Sequence, residues 1–376
     1  MVPPSSGQLG IVLTGGGARG AYQAGALKAI YTICQEQGIL DAFPILTGNS
    51  AGAINASLLA TYSDDLESGI AKMQDLWENL QPEDIYRTDL VSFTQIGSRW
   101  LRELVSGSLI KEKHSTSLLD TAPLMQLLKR EISPEQISRN IKQKRLRGLA
   151  ITAFNYSTGN SETFFSGDQT IQSWQRTKRL GIRADISTRH IMASAAIPLL
   201  FPPVEMNSCS YGDGSIRNYT PLSPAIKLGA DRLIVIGVRK KGGELIERHR
   251  AATNAARILS ILLNAVLMDA IDLDAERLHH LNEVQSMLEG KGSMPLKRVE
   301  LIMLQPSQDI GKIAREEAKH LPKLLRYMLQ GLGTHEETSD LMSYLFFDPS
   351  FTRRLFRLGF EDAMKDAERL RTLLNG

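Results

Sequence analysis

Ser50 stands between two glycines in GNSAG (residues 48–52), after an apolar run and before a helical pattern. G-x-S-x-G between a strand and a helix is the nucleophile-elbow pattern. The turn is sharp, so the residues flanking the serine must be small. Gly48 and Gly52 let strand and helix approach without a side-chain clash, and glycine accepts strained backbone angles. Ser50 then points outward at a helix start, where backbone N–H groups such as that of Ala51 stabilise negative charge. A second cluster, TGGGARG (14–20), places Gly15, Gly16 and Gly17 between a strand and a helix. Such a loop exposes N–H groups with no side chains in the way. It would receive the oxygen of a tetrahedral intermediate, and one such donor is worth roughly 3 kcal/mol of barrier. The loop also fits G-x-G-x-x-G (Gly15, Gly17, Gly20), the dinucleotide pattern. The acidic residue expected after the second strand is missing, however, and no G-K-[ST] follows. Arg19 has two readings: orienting the loop or an anionic substrate group, or forming a plain surface salt bridge.

A serine hydroxyl needs a base, usually histidine. The seven histidines are His114, His190, His249, His279, His280, His320 and His335, and none lies in a recognisable catalytic loop. The alternative is Asp213 in YGDGSIRNYTP. A carboxylate held against a serine hydroxyl acts as base directly when partial desolvation raises its pKa. An isolated Asp-Gly pair also reads as a simple turn.

These residues need elements to position them. GIVLTG (10–15) reads as a strand, and Ala21 to Gln37 as a helix with Ala24, Leu27, Ile30 and Ile33 on one face. FPILTG and AGAINASLLATY repeat the pair. The alternation implies a parallel sheet with helices on its faces. Residues 62–145 look helical and polar and end in the basic stretch KQKRLRG. Strands resume with LAITAFNYSTG, SETFFSG and DRLIVIGV. Residues 245–289 read as one long helix or two shorter ones, VELIMLQPS as a late strand, and the chain after Ile310 as helices broken at Pro322, Gly331–Gly333 and Pro349.

The 376 residues carry a net charge of +3, which gives no bulk pull towards nucleic acid. Cys34 and Cys209 cannot build a disulfide framework and read as reduced thiols. MVPPSSGQLG lacks the basic and apolar regions of a secretory signal. The apolar run 258–271 is short of the ~20 residues a spanning helix needs and reads as a packed helix. SYLFFDPSFTRRLFRLGF sets Phe351, Leu355 and Leu358 at helical spacing beside Arg353, Arg354 and Arg357. It reads either as an interfacial helix with a basic rim or as a helix packed on the core.

Taken together, the three motifs resemble the patatin-like phospholipases. That family couples a Gly-rich oxyanion loop, a G-x-S-x-G elbow and a D-G-G or D-G-A motif. The resemblance implies Ser50 as nucleophile and Asp213 as base, a dyad without histidine. It implies an oxyanion hole from Gly15, Gly16, Gly17 and Ala51, supported by Arg19, Gly20, Gly48, Gly52 and Gly214. MASAAIPLLFPPV and GADRLIVIGV resemble family segments that flank the aspartate. Ser215 departs from the pattern, replacing the usual glycine or alanine, and its hydroxyl could bond the loop and shift the base. The resemblance spans residues 8–240 and implies an α/β fold with a mostly parallel central sheet in a three-layer α/β/α arrangement. Residues 62–145 are expected to be a helical insertion or lid. Residues 241–376 are expected to form a helical C-terminal extension with a late strand near 298–304.

The implied activity is hydrolysis of fatty acyl esters of (lyso)phospholipids or related lipids, with no metal and no cofactor. The implied setting is cytoplasmic, with transient contact at the membrane surface and no nucleic acid partner. The alternatives are an acyltransferase on a related fold, a non-catalytic lipid-binding protein, and an α/β-hydrolase esterase completed by His279 or His280.

Overall fold

Continuous apolar runs build the middle of the sheet. In the computed structural model, which describes residues 8–40, 42–87, 117, 119–240, 270–288, 297–321, 326 and 335–376, strand β1 (Gln8–Leu13) is buried from Leu9 onward. Strand β2 (Ile45–Gly48) is buried throughout. Burial on both faces explains why these strands lack polar alternation.

Among the described residues, the sheet has ten strands. The others are β3 (Gly148–Asn155), β4 (Asn160–Gly167), β5 (Trp174–Arg176), β6 (Arg179–Arg183), β7 (Val204–Met206), β8 (Cys209–Asp213), β9 (Ala230–Ile236) and β10 (Glu300–Leu304). The main order is β10-β9-β1-β2-β3-β4-β6-β5. The run from β10 to β3 is parallel, as the alternating motifs predict. Antiparallel pairing enters where the chain turns back directly, in β3–β4, β5–β6 and β7–β8.

One departure from a plain parallel sheet matters most for the site. Strand β2 ends with Gly48 opposite Ile151 of β3. Strand β8 then runs antiparallel along the remainder of β3, with Asp213 opposite Ala153. The end of β2 and the end of β8 therefore meet two residues apart on a shared neighbour, a separation of roughly 7 Å along that strand.

Helices cover both faces. On one, α1 (Gly20–Glu36) lies with α2 (Ala51–Thr61) and α3 (Leu66–Asn79), followed by a short α4 (Pro82–Ile85), α5 (Ala122–Glu131), α6 (Pro134–Lys142) and α7 (Thr188–Ser194). Met73, Trp77, Leu124 and Leu128 carry the described part of 62–145 into the main core. On the opposite face, α8 (Ser223–Leu228) and α9 (Ala270–Leu288) cover Val12, Ile45, Leu233 and Val235 with Leu222, Ala225, Leu228, Ile271 and Leu278. Three layers result, as expected.

The C-terminal helices are α10 (Ile310–Glu317), α11 (His335–Leu345), α12 (Pro349–Lys365) and α13 (Ala367–Asn375). Pro349 is the first residue of α12, a position where its missing N–H costs nothing. Phe351, Leu355 and Leu358 are buried, so α12 is a core helix and its apolar face is not available to a membrane. It crosses α1 at backbone contact. A Cβ on Gly25 would sit 1.8 Å from the Phe356 carbonyl oxygen, and one on Gly359 2.0 Å from that of Tyr22.

Cys34 is buried and Cys209 half-buried, and both are free thiols. Among the described residues, no helix is long and apolar enough to cross a membrane. Residues 1–7, 88–116 of the expected lid, the apolar run over 258–269, His114 and His249 lie outside the described residues.

Candidate active site

The elbow forms because β2 stops at Gly48 and α2 starts at Ala51, leaving only Asn49 and Ser50 to reverse the chain. Ser50 pays for this with φ 54° and ψ −129°, a region that costs a non-glycine residue about 1–3 kcal/mol. The flanking glycines are required by contact. A Cβ on Gly48 would meet the Gly52 carbonyl oxygen at 2.3 Å, and one on Gly52 the Leu13 carbonyl oxygen at 2.3 Å. The strained turn is pinned from outside: the Ser50 N–H donates to Ser194 Oγ at 3.0 Å, and Ser194 Oγ donates to the Thr152 carbonyl at 2.6 Å.

Asp213 ends β8 and is fully buried. Burial raises its carboxyl above the usual carboxylate range. Hydrogen bonding by the Ser50 hydroxyl, and then by Ser215, pulls it back down. The Ser215 N–H donates to Asp213 Oδ1 at 2.8 Å. Among the described residues, the other oxygen, Oδ2, has no hydrogen-bond partner. The Ser50 hydroxyl acts on this carboxyl without a bond of full geometry to it, which fits a site without substrate, where catalytic hydrogen bonds are often long.

Ser215 does bond the loop around it. Its hydroxyl accepts from Asn49 Nδ2 at 2.6 Å, tying the D-G-S turn to the elbow. A Cβ on Gly15 would stand 2.6 Å from Ser215 Oγ and 3.1 Å from Ser50 Cβ, so the glycine loop presses on both. Gly214 has Thr152 and Asn49 against it.

Among the described residues, the N–H groups of Gly16, Gly17 and Ala51 donate to no protein acceptor. They are the donors an oxyanion would need. Gly17 has φ 55°, and a Cβ there would stand 2.2 Å from the Tyr344 carbonyl oxygen. Gly17→Ala is therefore expected to lower stability by at least about 2 kcal/mol. An unchanged urea midpoint would contradict this.

Arg19 is buried rather than on the surface, which corrects the surface salt-bridge reading. It pairs with Asp340 at 2.9 Å, donates from Nε to Ser343 Oγ at 2.7 Å, and lies 4.6 Å over the Tyr344 ring. It anchors the glycine loop to α11. Gly20 closes against Trp77 and Ala51.

A pocket opens beside Ser50. Its other lining residues are apolar, among them Leu76, Trp77, Ile85, Leu127, Ile197 and Phe201. The first four come from helices within 62–145. His279 and His280 are exposed on α9, where both pair with Glu283 at 3.2 Å, and neither bonds Asp213. Among the described residues no group of His, Cys, Asp and Glu is placed to hold a metal ion.

Sequence reasoning missed the supports. Ser194 lay inside MASAAIPLLFPPV, a segment noted only as a whole. Asn49 sat within the elbow as the variable position. Asp340, Ser343 and Tyr344 carried no local signal.

The profile of the family described as Patatin-like phospholipase matches residues 11–226, more than half the chain. No curated protein sequence matches. Among solved structures, VipD from Legionella pneumophila is similar at 12% identity and TM-score 0.38, covering 97% of this chain and 67% of that one. The type III effector ExoU of Pseudomonas aeruginosa is similar at 14% identity and TM-score 0.38, covering 98% and 54%. Human GIVD cytosolic phospholipase A2, in complex with methyl gamma-linolenyl fluorophosphonate, is similar at 13% identity and TM-score 0.42, covering 98% and 59%. This chain thus spans between 54% and 67% of the length of these three proteins. On the match of the family profile, the chain belongs to the patatin-like phospholipase family.

Proposed function

We propose that the protein hydrolyses fatty acyl esters of (lyso)phospholipids or related lipids through a Ser50–Asp213 dyad. Asp213 takes the Ser50 proton as Ser50 Oγ attacks the ester carbonyl. The oxyanion rests on the N–H groups of the Gly15–Gly17 loop and Ala51. The alcohol leaves with the proton returned by Asp213, and the acyl group stays on Ser50. Water then attacks, gives its proton to Asp213, and releases the fatty acid as Ser50 recovers its hydrogen. The cycle needs no metal and no organic cofactor.

One observation supports this reading: β2, which leads into Ser50, and β8, which ends in Asp213, stop two residues apart along β3, and burial raises the Asp213 carboxyl. Residues 8–240 hold all the groups of the cycle. The helices of 62–145 supply much of the acyl pocket, and α11 braces the oxyanion loop from the C-terminal region. The apolar lining suits an acyl chain, so substrate comes from a lipid phase and contact with a membrane surface is transient.

Turnover of a mixed phospholipid extract in H₂¹⁸O tests this. Release of fatty acid carrying ¹⁸O is the expected result. Acyl groups found only on an added alcohol, without labelled free acid, would favour the acyltransferase instead.

The pocket makes a separate prediction. Leu127→Trp should fill it, lowering kcat/KM for a long-chain p-nitrophenyl ester at least about tenfold while p-nitrophenyl acetate turnover is kept. Equal losses on both esters would place the acyl chain elsewhere.

A further inference from the structure

At the other end of the sheet from Ser50, cationic side chains converge on a second pocket. Its walls include Gln8 and Leu9 where β1 begins, Pro44 just before β2, and Arg147 just before β3. The six residues of β1 separate this end from the glycine loop by roughly 20 Å. The pocket is therefore not part of the acyl site.

Lys144, Arg145 and Arg147 line it, all from the basic stretch KQKRLRG, together with Arg232 and one carboxylate, Asp168. Two of the arginines are held in place. Arg147 Nε donates to the Leu228 carbonyl at 2.9 Å, and its backbone N–H to the Pro44 carbonyl at 2.7 Å. Arg232 Nη1 donates to the carbonyls of Leu373 and Leu374 at 2.8 and 3.0 Å. Lys144 and Arg145 are exposed at the rim. Among the described residues, Lys144, Arg145 and Arg147 form no ion pair. Asp168 offsets only one of these four positive charges: its Oδ1 accepts from the Thr170 N–H at 2.9 Å and from the Thr170 hydroxyl at 2.6 Å, while Arg147 and Lys144 act on it through their field.

Like charges gathered in one concavity repel, and their field attracts an anion. Guanidinium groups match phosphate oxygens in pairs, and a lysine adds a point charge. The geometry points to a binding site for a phosphate-bearing anion in this pocket. Its source follows from its position. A bilayer that meets the Ser50 end of the strands cannot also meet this end. The expected ligand is a soluble phosphorylated molecule rather than a lipid headgroup.

The test titrates the full chain with inorganic pyrophosphate by calorimetry. A parallel arm sediments it with phosphatidylcholine vesicles, with and without phosphatidic acid. The comparison protein is K144E/R145E, which changes two exposed side chains, and its thermal unfolding is checked against the parent. The expected result is saturable pyrophosphate binding, weakened at least tenfold in the double variant, with equal sedimentation of both proteins. Binding to acidic vesicles that the double variant loses would support the pocket and assign its phosphate to a lipid headgroup. If the double variant changes neither arm, the site is overturned.

Discussion

Ser50→Ala is expected to cut ester hydrolysis by at least about 10⁴-fold while the protein stays folded. The size follows from the role. Without Oγ no acyl-enzyme forms, and what survives is the residual effect of binding and the oxyanion donors. Folding is expected to survive because the change removes one atom and leaves the elbow's pins in place. The Ser194 hydroxyl still accepts from the residue 50 N–H, and the glycine contacts at 48 and 52 are untouched. Steady-state turnover of a p-nitrophenyl acyl ester, beside a urea unfolding curve, checks both halves. Turnover at the parental rate would reject Ser50 as nucleophile.

Asp213→Asn is expected to lower turnover by about 10²–10⁴-fold, the usual worth of a positioned general base. It is also expected to change the pH profile. Burial raises the Asp213 carboxyl, so the parent should gain activity as pH rises through a range above the ordinary aspartate value. The variant should lack that limb. Stability should respond with the opposite sense. A carboxyl whose folded pKa is raised binds its proton more tightly when folded. The parent therefore loses stability as pH climbs from the unfolded pKa to the folded one, and carries the full cost of a buried charge above it. The neutral asparagine carries no such cost. The variant should be at least as stable as the parent at neutral pH, with the difference shrinking in acid. Unfolding curves at several pH values measure this. A variant less stable than the parent at neutral pH, or an advantage over the parent that grows in acid, would contradict the sign.

The parts legible in the sequence were the local ones. Gly15–Gly17, Gly48 and Gly52 declare themselves because a tight turn or a bare amide can be built from few residue types. The parallel run was legible because strands buried on both faces are continuously apolar. The insertion of β8 beyond the end of β2 was not, since it depends on pairing between Asp213 and Ala153, set by the length of β2 rather than by any pattern in β8. Arg19 was ambiguous for a similar reason: its partners lie more than 300 residues away in α11. The α12 stretch fitted both a membrane and a core, because an amphipathic pattern says which face is apolar and not what covers it. Its cover is α1, seated through Gly25 and Gly359, and nothing in either helix alone signals that contact.

Activation of the Ser50 hydroxyl by the Asp213 carboxylate is open to direct test. The most direct measurement is the rate at which a fluorophosphonate labels the protein, followed by intact mass and located by peptide mapping. One adduct is expected, on Ser50, formed at least about a hundredfold more slowly in folded Asp213→Asn. An adduct on another residue, or equal labelling rates in the two proteins, would contradict it.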